Sequence, residues 1–311
     1  MKSVSSLTWL CKTKSSHYAV SKIPKRRGGF RDIHAPDKVM RLAQSRILTR
    51  ILNQVETPEY TWAFEQGRSV PEMAVIHQNK PYVISLDIKN FFPSVTQKMI
   101  QDMLSSENIA DGAAARSISE LCTYKWFLPQ GGITSPKISN LVVKNTFGPE
   151  VKKFCDDILM DVTIYADDIT ISPKGGVDRS DNVTISNVII SICDMVKRHG
   201  FIINAPKTKV MKRGARQTVC GVVVNEHTNL PQKERKRLRA IVHNICTNGV
   251  EAEARKFDPD ATEELFLNHI KGKLNWYRML NPELGNRLYV QLTTYLAEVS
   301  GAVSRQETEV A

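Results

Sequence analysis

Two β-prone runs meet at a pair of adjacent acids, and this stretch restricts the fold more than any other. Val162-Thr163-Ile164-Tyr165 leads into Ala166-Asp167-Asp168, and Ile169-Thr170-Ile171 follows. The pattern predicts two short strands joined by a turn. Turns favour Asp, so the pair taken alone reads simply as a solvated corner. Strands this apolar are buried, however, and two neighbouring anions held on a buried hairpin repel each other. A divalent cation bound by hard oxygen ligands is the simplest way to offset that repulsion.

A third acid lies in a comparable setting. Residues 82–88 read Tyr-Val-Ile-Ser-Leu-Asp-Ile, a β-branched run interrupted by Asp87. An acid inside such a strand is unfavourable for packing and for strand propensity. It is tolerable at a strand end, capping the Asn90-Phe91-Phe92 turn. It is also tolerable if the strand lies beside the 162–171 hairpin and the three carboxylates come together. Three carboxylates on adjacent strands hold two magnesium ions about 4 Å apart in enzymes of in-line phosphoryl transfer.

The order of motifs is specific. Leu86-Asp87-Ile88-Lys89-Asn90-Phe91-Phe92-Pro93-Ser94 is followed by Leu128-Pro129-Gln130-Gly131-Gly132-Ile133-Thr134-Ser135-Pro136, then by Tyr165-Ala166-Asp167-Asp168. This series resembles that of reverse transcriptases. Ile23-Pro24-Lys25-Arg26-Arg27-Gly28-Gly29-Phe30-Arg31-Asp32-Ile33 resembles their basic fingers hairpin. Phe201-Ile202-Ile203-Asn204-Ala205-Pro206-Lys207-Thr208-Lys209 resembles their later palm motif. The resemblance runs from about residue 20 to about residue 225.

That resemblance implies an α+β right-hand polymerase. Fingers and a palm with an antiparallel sheet would occupy residues 1–228, and a helical, RNA-binding thumb residues 229–311. It also implies two Mg2+ ions, with Mn2+ as the alternative, held by Asp87, Ile88, Asp167 and Asp168. Arg31, Phe91, Phe92, Gln130, Gly131 and Tyr165 would line the nucleotide and template pocket. An aromatic shortly after the first Asp excludes a ribose 2′-hydroxyl by steric clash. Phe91 and Phe92 both suit this gate and both suit a core, with Phe92 the preferred gate. Lys207 is either the acid that protonates the leaving pyrophosphate or a surface lysine in a turn.

Two marks resemble the bacterial retron class. Val219-Cys220-Gly221 is similar to its Val-Thr-Gly motif, with Cys in place of Thr. Met73-Ala74-Val75-Ile76-His77 is similar to its Asn-Ala-x-x-His motif, without the Asn. His77 alone reads as a polar residue at a helix end. Membership of that class implies a cognate non-coding RNA and its DNA product as partners, with dNTPs as substrates. It implies priming from a guanosine 2′-hydroxyl to give a branched RNA–DNA hybrid, and an accessory effector in defence against phage. The alternatives are a defence polymerase with untemplated or protein-primed synthesis, and an RNA–DNA scaffold that sequesters a toxic effector.

Bulk properties agree with a polyanionic partner. The chain has 311 residues and a net charge of +11. A basic membrane-surface protein is disfavoured, since no amphipathic helix rich in exposed aromatics is evident. Leu7 to Cys11 is too brief for a signal segment, and no run reaches the length of a membrane span. The six cysteines lack CxxC spacing, which argues against zinc and for a reducing cytoplasm. The length leaves no room for an RNase H, integrase or endonuclease domain after the thumb, and no maturase-type extension is seen.

Periodicity predicts helices over 37–55, 96–105, 111–125, 134–147 and 183–199, then 231–247, 262–280 and 283–300. In the 231–247 helix Leu238, Ile241, Val242 and Ile245 share one face. Lys233, Lys236 and Arg237 lie opposite, with Arg235 and Arg239 on the flank. Five cations balanced by Glu234 alone repel one another along the helix, which suits phosphate contacts.

Overall fold

The computed structural model describes residues 4–25, 28–176, 184–258, 260 and 262–309. Arg26 and Arg27, and the first residue of the helix expected over 183–199, lie outside them. The chain forms two compact units. One comprises Met1–Met73 with Lys80–Arg213, the other Ala74–Asn79 with Gly214–Ala311.

The first unit is built on an antiparallel sheet. Strand β3 (Tyr82–Asp87) lies between β5 (Asp168–Pro173) and β6 (Lys209–Lys212), and β4 (Met160–Tyr165) closes the edge beyond β5. β-branched residues populate both faces of β3, and Val83, Ile84 and Leu86 are fully buried. Ile164, Ile169 and Ile171 supply the neighbouring core. A separate hairpin pairs β1 (Tyr18–Pro24) with β2 (Phe30–Pro36) around Gly28-Gly29, both at positive φ.

Helices α1 (Val4–Lys12), α2 (Lys38–Arg50), α3 (Val70–Ile76), α4 (Phe91–Ser94), α5 (Gln97–Ser106) and α6 (Gly112–Cys122) precede the β4–β5 hairpin; so do α7 (Ser135–Lys144) and α8 (Phe147–Asp157). Helix α9 (Ile185–Arg198) follows it. Pro136 sits in the first turn of α7, where its missing N–H costs nothing. Ile138, Leu141 and Val142 of α7 are fully buried, and even its Lys137 is largely buried, paired with Glu65 at 3.1 Å. Asn140 donates to Glu65 and to the Ala63 carbonyl, so this network pins the 63–65 segment to α7.

The second unit begins with β7 (Thr218–Val219) and β8 (Val222–Val223). Cys220 and Gly221 join them, both at positive φ, as a two-residue hairpin turn requires. The Asn79 N–H donates to the Val224 carbonyl at 2.9 Å, which ties segment 74–79 to this hairpin. Four helices follow: α10 (Gln232–Asn248), α11 (Val250–Phe257), α12 (Glu263–Leu280) and α13 (Pro282–Glu309). Leu238, Val242 and Ile245 of α10 are buried as expected. Helix α11 is too short to show a clear period in the sequence. Buried Gly285 lets α13 approach α12, because a Cβ there would lie 2.6 Å from the Arg278 backbone. Among the described residues no helix is long and apolar enough to cross a membrane.

Candidate active site

Antiparallel pairing brings the acids together. Asp87, the last residue of β3, stands opposite Asp168, the first residue of β5. Ala166 takes a left-handed φ of 53°, so the chain reverses within Ala166-Asp167. The Ile88 N–H donates to the Asp167 carbonyl at 2.7 Å and fastens the hairpin tip to the end of β3. The three carboxylates therefore belong to one end of two paired strands.

Asp87 is buried and well held. Its Oδ1 accepts from Lys207 Nζ at 2.5 Å and its Oδ2 from Asn204 Nδ2 at 3.1 Å. The Asn204 N–H also donates to the Asp87 carbonyl at 2.7 Å. Asn204 caps a short 3-10 turn, Ala205–Lys207, that contains Pro206 and ends on Lys207, so one local element delivers both partners. The pair carries a mark in the sequence, an Asn three residues before the Lys, but Asn204 was not read there as a site residue.

The other two acids are less compensated. Burial, then the charges of Asp167 and Asp87, push the Asp168 carboxyl up to about 6. Burial and the Asp87 charge raise that of Asp167 as well. Excess negative charge at this spot, carried by hard oxygens, suits a divalent cation. Among the described residues no three His, Cys, Asp or Glu side chains converge as a ready-made metal cage.

A cleft of about 460 Å³ opens over this end of the sheet. Asp87, Asp168 and Ser85 form its acidic and polar wall. Lys25 and Arg31 from the β1–β2 hairpin, with Lys207 and Lys209, contribute four cations. Such a cleft offers cations to a polyphosphate and carboxylates to its counterions.

The neighbouring residues sort clearly. Phe91 is a core residue, 3% exposed, with its ring centroid 6.1 Å from Phe201. Phe92 is half-buried with its ring centroid 6.2 Å from that of Phe64, and Phe64 in turn lies 6.4 Å from the Tyr165 ring. Phe64 is half exposed and held at a positive φ of 64°, a costly conformation for a bulky residue. It had not been identified from sequence, where it lies outside any periodic segment. Gln130 accepts from the His34 N–H at 2.8 Å through its carbonyl. At Gly131, with φ at 115°, a Cβ would meet the His34 carbonyl at 2.9 Å. The close approach that this glycine permits is thus to β2 of the same chain. Ile88 is buried and its N–H is committed to the hairpin tip.

The remaining candidates lie in the second unit. His77 is fully buried just after α3, and it shares a unit with Val219, Cys220 and Gly221 despite the long sequence separation. Lys233, Lys236, Arg237 and Arg239 are exposed on α10. Arg235 is half-buried, and its Nε has no hydrogen-bond partner among the described residues.

An acid-tipped antiparallel hairpin beside a third acidic strand, under a cationic cleft, can hold a divalent cation against a polyphosphate, the chemistry that nucleotidyl transfer needs. Residues 23–238 match the family described as reverse transcriptase (RNA-dependent DNA polymerase), and the chain belongs to that family. The relatives it matches include bacterial retron reverse transcriptases. It is 32% identical to the Retron Mx65 reverse transcriptase of Myxococcus xanthus, over 88% of this chain and 63% of that protein. It is 26% identical to the Retron Ec86 reverse transcriptase of Escherichia coli, over 81% of this chain and 77% of that protein. The chain spans just under two thirds of the length of the two Myxococcus xanthus relatives it matches, Mx65 and Mx162. A telomerase structure from Candida tropicalis shares the right-hand polymerase fold at a TM-score of 0.51 and 12% identity, covering 89% of this chain and 58% of that one. Reverse transcriptases generally depend on a divalent metal.

Proposed function

We propose that this chain is the RNA-directed DNA polymerase of a retron, copying part of a cognate structured RNA into DNA. The observation that carries this reading is the register that sets Asp87 opposite Asp168 with Asp167 at the adjoining tip. Asp87, Asp167 and Asp168, with Ile88 beside them, would hold two Mg2+ ions, or Mn2+. Bound there, the ions would activate the attacking hydroxyl and neutralise the leaving pyrophosphate.

The chain's own groups supply the rest. Arg31, Lys25 and Lys209 would take the triphosphate of an incoming dNTP, Arg31 as a two-pronged donor. Lys207, released from Asp87, would give its proton to the departing pyrophosphate. Phe92 would sit beneath the sugar and leave no space for a 2′-hydroxyl, while Tyr165, Gln130 and Gly131 would border the pocket. The basic face of α10 and the segment around His77 and Val219-Cys220-Gly221 would hold the RNA.

Similarity to retron reverse transcriptases supports a finer reading. Synthesis would start from a guanosine 2′-hydroxyl and yield a branched RNA–DNA hybrid, and an accessory effector would join the complex in defence against phage. The site of action would be the cytoplasm. Primer extension on an RNA template tests the centre of this proposal. Asp167→Asn with Asp168→Asn should abolish synthesis, because amides bind divalent cations poorly and leave their charge unbalanced. Near-normal extension by that variant would remove the metal site from the mechanism.

A further inference from the structure

The second unit contains a groove of about 550 Å³ remote in sequence from the acidic triad. Two helical stripes form its walls. On α10, Lys236, Arg239, Ala240 and His243 recur at the spacing that places residues on one helix face. On α13, Leu284, Arg287, Leu288 and Gln291 repeat the same spacing. Tyr277 of α12 lines it between them.

The chemistry divides within the groove. Lys236, Arg239 and Arg287 are exposed cations, and none of the three is in an ion pair among the described residues. Among the described residues no carboxylate lines the groove. Ala240, Leu284, Leu288 and the Tyr277 ring make the lining as apolar as it is basic. Tyr277 is 1% exposed, yet its hydroxyl has no hydrogen-bond partner among the described residues. A buried hydroxyl left without a partner is costly, and ligand sites are where such groups are retained. Lys236 and Arg239 lie about 4.5 Å apart along α10 and Arg287 joins them from α13, a cluster that would suit one phosphate. An apolar bed with an unused hydroxyl and a terminal amide, Gln291, suits a planar heterocycle with polar edges.

We propose that this groove is a nucleotide pocket, which takes one unpaired nucleoside phosphate with its phosphate on Lys236, Arg239 and Arg287 and its base against Tyr277 and Leu288. The nucleotide comes either free from solution or splayed out of an RNA. A uniform duplex-gripping surface needs only the cations. The apolar bed and the hydroxyl are what single out a base. This pocket is independent of the polymerase reading, since binding here needs neither the acidic triad nor a metal.

The test uses the full chain in EDTA, where catalysis is off. Calorimetric titration compares the four ribonucleoside 5′-monophosphates with inorganic phosphate. A nucleoside monophosphate should bind at least tenfold more tightly than inorganic phosphate. Lys236→Ala with Arg287→Ala should weaken it at least tenfold, and both positions are exposed, so the fold is preserved. Tyr277→Phe keeps the ring and should alter the ranking among the four bases. A second arm compares an RNA duplex with the same duplex bearing one bulged nucleotide. Tighter binding of the bulged RNA, lost in the double variant, assigns the nucleotide to RNA; its absence alongside tight monophosphate binding assigns it to solution. Equal affinity for phosphate and nucleotide, no effect of the double variant, or tighter binding of a glutamate-rich peptide would overturn the proposal. Loss of primer extension in the Asp167 and Asp168 variant speaks to the polymerase site alone, so the two readings fail separately.

Discussion

Replacing Asp168 by Asn should stabilise the metal-free protein while it destroys the polymerase site. The Asp168 carboxyl is raised from 3.8 to about 6 by burial and by the charges of Asp167 and Asp87. A folded pKa above the unfolded one means that ionisation opposes folding. The penalty is absent below pH 3.8, develops as pH rises through about 6, and is complete above it. A shift of this size is on the order of 3 kcal/mol at neutral pH, an upper figure because the carboxyl keeps some contact with water. Asn has nearly the shape of Asp and no charge, so Asp168→Asn removes that penalty. Urea denaturation in EDTA at pH 4.5 and pH 7.5 measures it. The variant should exceed the wild type by about 1–3 kcal/mol at pH 7.5, and the gap should shrink at pH 4.5. Millimolar Mg2+ should then stabilise the wild type and leave the variant unmoved, as binding to the native state alone requires. A variant no more stable than wild type at pH 7.5, or a gap independent of pH, would show that the acids are already compensated and that the argument for a cation is wrong.

Three further outcomes follow from packing and charge. Phe92→Ala should admit ribonucleotides in single-nucleotide competition assays, whereas Phe91→Ala should cost about 3–5 kcal/mol of stability by denaturation and leave sugar selection alone; the reverse pattern would exchange their roles. Gly285→Ala should destabilise the helical unit by several kcal/mol in thermal melts, since the added carbon meets Arg278 backbone at 2.6 Å, and an unchanged melt would mean that α13 shifts freely. Lys233→Glu, Lys236→Glu and Arg237→Glu together should weaken RNA binding and reduce the log–log salt slope by roughly 2–3, at 0.7–0.9 per lost contact, in affinities measured over a salt series.

The sequence by itself determined the local elements and their chemistry. Alternation around Ala166-Asp167-Asp168 is enough to specify a hairpin with acids at its tip, because a turn and its flanking strands are short-range structures. The apolar stripe of α10 is similarly local, as is the start of α7 at Ser135-Pro136. Order along the chain then identified the family. Tertiary structure alone decided what depends on distant partners. The register of β3 against β5 sets Asp87 opposite Asp168, and it arises from matching two buried faces across 81 positions of chain. Phe91 and Phe92 are chemically identical, and only tertiary packing, against Phe201 for one and Phe64 for the other, makes the first a core ring and leaves the second half-buried. Gly131 is required by the His34 carbonyl, which no local pattern announces. Segment 74–79 joins the second unit through the Asn79–Val224 bond, so His77 shares a unit with Val219-Cys220-Gly221 only in three dimensions. The groove between α10 and α13 is likewise invisible in either stripe alone, because a pocket is made by the space between helices rather than by the residues of one.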